Sequence, residues 1–95
     1  MHSNFARHLW NVGAVKIVDA LQSHQHLHPH QSLKESLANV SAEIGFCDGA
    51  ADLAMKGLRL DPQQSIGRLR SPELAQLAYT IYRHWRSLNP AMQEA

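Results

Sequence analysis

Ninety-five residues make one domain, and 44% hydrophobic content is enough to close a core over it, which excludes wholesale disorder. A formal charge of +1 exerts no overall pull toward nucleic acid or membrane. One cysteine, Cys47, excludes an intrachain disulfide, and no stretch approaches the roughly 18 uninterrupted apolar residues of a membrane span.

The charges are unevenly placed. Residues 1–55 carry three basic and five acidic side chains. Residues 56–95 carry Lys56, Arg59, Arg68, Arg70, Arg83 and Arg86 against Asp61, Glu73 and Glu94, so the second half is the positive one. Lys16 interrupts the first apolar stretch, so a secretory leader is not expected and the protein is placed in the cytoplasm.

In chain order, Ser3 can cap a first helix running to about Gln22. Ala6, Leu9, Trp10, Gly13, Ala14, Ile17, Val18 and Leu21 form one broad apolar arc on it. Phe5, Val12 and Val15 fall outside the arc, which leaves the helix apolar over much of its circumference. More oily surface than one small domain covers suggests contact with another chain, a second copy included. Gly13 costs about 1 kcal/mol against alanine in mid-helix, which suggests a close crossing of backbones there.

Residues 23–31 read as a polar joint holding His24, His26, His28, His30 and Pro29. In an extended chain the four imidazoles would share one side and could chelate Zn, Ni or Cu. The run has no carboxylate or cysteine to complete a site, so a solvated joint is expected and no metal or cofactor is assigned.

Ser32-Leu33-Lys34-Glu35 has the form of a capping box opening a second helix. Leu33, Leu37, Val40 and Ile44 follow at helical spacing, and Gly45 stops the run. Asp48 can cap a third helix through Ala51, Ala54 and Leu58. Val40, Ser41, Ile44, Gly45, Phe46, Ala51 and Ala54 are spaced as in two helices locked across a tight turn. In this the segment resembles the helix-turn-helix class, over about a fifth of the chain.

That resemblance implies a DNA-binding regulator; the apolar first helix would make it dimeric, and the basic second half would set Lys56, Arg59, Arg68 and Arg70 toward nucleic acid. The outward positions of the third helix would come from Gly49, Ala50, Asp52, Leu53, Lys56 and Arg59. Asp48, at the start of that helix, and Asp52 would repel phosphate. Two packed helices joined by an ordinary glycine turn explain the same residues.

Asp61-Pro62 suits the start of a short helix or turn ending near Gly67. Ser71-Pro72-Glu73 repeats that grammar for a last helix with Leu74, Leu77, Ala78, Ile81, Trp85 and Leu88 as its buried stripe, closed by Asn89-Pro90 before a frayed tail at 90–95. Its outer face offers Tyr79, Arg83 and Arg86, with Tyr82, His84 and Arg70 near. Aromatics beside arginines suit a protein partner or nucleic acid. No G-x-S-x-G, H-E-x-x-H, C-x-x-C or phosphate-cradling glycine loop is present.

The expectation is therefore an all-α protein, one compact bundle of four to five short helices with a helix-turn-helix-like pair in the middle. It is read as non-enzymatic, binding a protein partner or itself through Phe5, Val12, Val15, Tyr79, Arg83 and Arg86. Nucleic acid is the alternative partner, and neither a membrane nor a small-molecule substrate is expected. Cys47 is expected to be a small buried hydrophobe.

Overall fold

The computed structural model describes residues 4–89, with side chains from residue 13 onward. Four helices carry the chain: α1 (Asn4–Leu27), α2 (Leu33–Ile44), α3 (Asp48–Gly57) and α4 (Ser71–Leu88). A single 3-10 turn, Ile66–Arg68, interrupts the connection before α4. Among the described residues there is no strand, and no helix is long and apolar enough to cross a membrane.

The starts and stops follow local chemistry. Ser32 caps α2 by accepting the Glu35 amide at 3.2 Å. Gly45 ends α2 at φ +102°, a left-handed conformation that glycine adopts without a Cβ clash. The buried Ser41 hydroxyl then donates to the Phe46 carbonyl at 2.5 Å and braces the turn into α3.

α3 begins one residue earlier than a cap at Asp48 requires. Cys47 is the N-cap, without a side-chain bond, and Asp48 is the first helical residue. Its carboxylate still favours the positive end of the helix dipole. Ser71 is likewise inside α4 and not its cap. Glu73 reaches back to accept the Arg70 amide at 2.8 Å.

α1 ends later than its polar composition suggested. It continues through Leu27, so His24 and His26 are helical and not part of an extended joint. The His28 amide still donates to the His24 carbonyl at 2.8 Å, and the joint proper is confined to residues 28–32. Pro29 excludes helix at its predecessor, and it was the proline, not the onset of histidines, that set the end.

α1 and α3 each run antiparallel to α4. α4 packs on α1 along one side and on α3 along the other, while α1 packs on α2. At one end Gly49 of α3 faces Leu88 of α4, and Phe46 meets Trp85 edge-on with ring centroids 6.2 Å apart. Trp85 in turn meets Tyr82 at 6.3 Å, and Tyr82 lies over Gly13. Gly13 thus seats an aromatic ring where a backbone crossing was expected. A Cβ there would sit 1.9 Å from Tyr82 Cε1.

The opposite end is closed by a clasp between the 28–32 joint and the connection before α4. The Leu33 amide donates to Gln64 O at 2.7 Å, Ile66 to Gln31 O at 2.9 Å, and Gly67 to Pro29 O at 2.9 Å. Gln25 donates from Nε2 to the carbonyls of Ile66 and Leu69, both at 2.8 Å. Ile66 and Leu69 are buried and pin this connection to the core.

The core is aliphatic. Ile17, Leu21, Leu33, Leu37, Val40, Ile66, Leu74, Leu77 and Ile81 are sealed from solvent. Each such side chain contributes about 1.5–3 kcal/mol over its exposed state. Of the arc of α1, Ala14, Ile17 and Leu21 are buried and Val18 packs at the core's margin, while outside it Val15 is 38% and Leu27 67% exposed. Trp85 is packed at the margin of the core, and Leu88 is half exposed, so the buried stripe of α4 stops a turn short of its predicted end.

Candidate functional site

The outer face of α4 carries Tyr79 and Arg83, while Tyr82 and Arg86 stand half-buried at its edge, where the Tyr82 ring lies over Gly13 of α1. Tyr79 and Arg83 are four residues apart, as are Tyr82 and Arg86, so each pair shares a helix face. The Arg83 guanidinium stands 5.7 Å from the Tyr79 ring centroid, and that of Arg86 5.9 Å from the Tyr82 ring. Each contact is worth about 0.5–1 kcal/mol at an exposed site and holds a long side chain in place. A shallow cleft of about 270 Å³ lies alongside, lined by Thr80, Arg83, His84 and Ser87. Val15 is exposed on α1, whereas Phe5 and Val12 lie outside the residues whose side chains are described.

The six cations of the second half do not converge on one face. Lys56 and Arg59 close α3, and Arg70 opens α4; because these helices are antiparallel, all three lie at the clasp end, joined there by Arg68. Arg83 and Arg86 belong to the last turns of α4, about 20 and about 24 Å from Arg70 along the axis at about 1.5 Å per residue. Lys56, Arg59, Arg68 and Arg70 are all exposed.

In the helix-turn-helix-like pair, α2 and α3 are joined by three residues and brush each other lightly, each packing mainly on a different partner helix. Between them runs a groove of about 200 Å³, floored by Leu37, Ala51 and Met55 and edged by Lys34, Asp48 and Asp52. Of the outward positions expected on α3, Ala50 is fully buried, turned inward because helical spacing puts it on the same side as Ala54. Asp52, Leu53 and Lys56 do face solvent, with Asp52 and not a base-reading side chain in the early turns. Cys47 is exposed, contrary to its expected burial, because the N-cap residue of α3 stands outside the helix packing.

The histidines divide. On the last turn of α1, the His24 and His28 rings stand 4.9 Å apart between centroids, tilted by 46°. His26 is about 200° around the helix from His24, so the side-by-side row of four expected of an extended chain does not form. His24 Nε2 meets Gln31 Oε1, which also accepts from the Ser36 hydroxyl at 3.3 Å and from Asn39 Nδ2 at 3.4 Å. Among the described residues no three of His, Cys, Asp or Glu gather as a metal-ligand group.

Gln25 and Gln31 are the residues that sequence reasoning missed. Glutamine carries no spacing signature; the role of Gln25 exists only once the clasp brings it beside Ile66 and Leu69, and that of Gln31 once the 28–32 joint turns its amide onto His24, Ser36 and Asn39. Compared with protein-family models, curated proteins and solved structures, the chain shows no significant match.

Proposed function

We propose that this chain is a small non-enzymatic helical protein that binds a protein partner, a second copy of itself included, through the outer face of α4. Val15, exposed on α1 about 200° around that helix from the α4-facing Gly13, offers a separate apolar contact. The observation that carries the reading is the pair of tyrosine–arginine contacts on consecutive turns of α4. Tyrosine and arginine are enriched among the hot spots of protein interfaces, and side chains already held in place lose less entropy on binding. The proposed setting is the cytoplasm, where an exposed thiol such as Cys47 stays reduced.

Sedimentation velocity over a concentration series tests the self-association form. The weight-average mass should rise with concentration, and Arg83→Glu should hold the protein at the monomer mass. A wild-type chain that stays monomeric at every concentration removes self-association from the proposal.

A second reading, a DNA-binding regulator, is favoured by the four exposed cations at the clasp end. Arg59 in particular stands at φ +58°, where glycine would cost less. Fluorescence anisotropy with duplex DNA at low salt separates the two readings. This reading expects binding that falls with salt and weakens in Lys56→Ala, Arg59→Ala and Arg68→Ala. The protein-binding reading expects none at low micromolar protein.

A further inference from the structure

The end of α1 carries a constellation that neither reading uses. His24 and His28 are one helical turn apart, and the His28 amide is still bonded to the His24 carbonyl at 2.8 Å, so the backbone fixes both rings on one side. Beside them is Gln31 Oε1, an amide oxygen directed at His24 Nε2. His28 is exposed and His24 half-buried, so a hydrated cation reaches both from solvent.

We propose that His24 and His28 form a two-imidazole chelate for a late first-row divalent cation such as Zn²⁺, Ni²⁺ or Cu²⁺, with Gln31 Oε1 as a neighbouring oxygen donor. Imidazole nitrogen suits these metals, whereas Mg²⁺ and Ca²⁺ require oxygen sets. Once one ring has bound, the other is held a turn away by the helix, so the second bond is an intramolecular step. For His24 to bind through Nε2 its ring proton moves to Nδ1 through solvent. Gln31 Oε1 then turns from hydrogen-bond acceptor to ligand. Water completes the shell, since no third imidazole, thiolate or carboxylate gathers there among the described residues.

The helical geometry makes this site different from a loose histidine run, because His26 and His30 are not needed. A bound cation would also tie the end of α1 to Gln31, whose backbone carbonyl accepts the Ile66 amide at 2.9 Å. Metal would therefore tighten the clasp.

Isothermal titration of the full chain with ZnCl₂ and NiCl₂ decides it, alongside circular dichroism to confirm folding of each variant. Wild type and His26→Ala/His30→Ala should bind one cation with the same affinity. His28→Ala, at an exposed position, and His24→Ala/His28→Ala should bind about tenfold more weakly or worse. In wild type, Ni²⁺ should broaden the NMR ring resonances of His24 and His28 before those of His26 and His30. Equal affinity in wild type and His28→Ala overturns the proposal, as does loss of binding in His26→Ala/His30→Ala, or a wild-type chain that takes up neither metal.

Discussion

Two backbone positions carry consequences that a single substitution can read. Arg59 completes the end of α3. Its own amide bonds to Lys56 O at 3.2 Å, and the next amide, Leu60, bonds to Met55 O at 2.9 Å. That is the arrangement usually given to glycine, and a left-handed arginine costs about 1–2 kcal/mol. Arg59→Gly should therefore raise stability by up to about 1 kcal/mol, after glycine's greater entropy when unfolded is discounted. The urea midpoint reads this directly, and a lower midpoint would show that the Arg59 side chain holds contacts outweighing its backbone strain. Gly13 works in the opposite sense. Alanine is the better helix former by about 1 kcal/mol, yet its Cβ must displace the Tyr82 ring. Gly13→Ala should destabilise the fold by about 1–3 kcal/mol, the usual range for overpacking. Tyr82→Ala should cost less in that background than in wild type, which a double-mutant cycle measures.

At the scale of elements, the clasp decides how the two helical hairpins are held. Gln25 spends both protons of its side-chain amide on the carbonyls of Ile66 and Leu69. Gln25→Ala loses both bonds and should cost about 1–2 kcal/mol in chemical denaturation. Gln25→Glu keeps the shape but can set a carboxylate oxygen against two carbonyl oxygens. It should be the worse of the two at neutral pH, and a milder effect than alanine would mean these bonds do not hold the connection down. Gly67 belongs to the same element. Its Cβ would lie 2.6 Å from the Pro29 carbonyl oxygen, a backbone atom that cannot swing away. Gly67→Ala should thus destabilise by about 1–3 kcal/mol. Gly57→Ala, with open space around it in the last turn of α3, should stabilise by about 0.4–1 kcal/mol.

Over the whole molecule, the radius of gyration of 12.9 Å is that of a close-packed chain of this length, about 13 Å. The two ends of the bundle are built differently. One is an aromatic string from Gly13 through Tyr82 and Trp85 to Phe46, and the other is a hydrogen-bonded clasp. This division bears on function because the tyrosine–arginine face lies toward the aromatic end and the Lys56, Arg59, Arg68 and Arg70 group at the clasp. A partner that needs both must span about 20 Å of surface. Surface substitutions should therefore separate: Arg83→Glu should change self-association without touching DNA binding at low salt, and Arg68→Ala should do the reverse if any duplex is bound. Sedimentation and anisotropy on the same two variants check this, and parallel losses in both assays would argue for one continuous surface.

Much of this architecture was written locally. The helical spacing from Leu33 to Ile44, the Ser32 cap, the Gly45 stop and the stripe from Leu74 to Ile81 act within a few residues, so period and capping chemistry reveal them in the chain itself. The tyrosine–arginine pairs are legible for the same reason, since four-residue spacing on a helix is enough to juxtapose them. What lay beyond the sequence is whatever needs two distant segments at once. The Gln25 bonds, the Ile66 amide on the Gln31 carbonyl and the ring seated on Gly13 join residues 35 to 69 positions apart. The histidines fall between these cases. Their alternation suggested an extended row, but helix propagation through His24 and His26 set His24 beside His28 instead. Side-chain pattern is a property of the chain, whereas the backbone period on which it is displayed was decided by packing against the rest of the bundle.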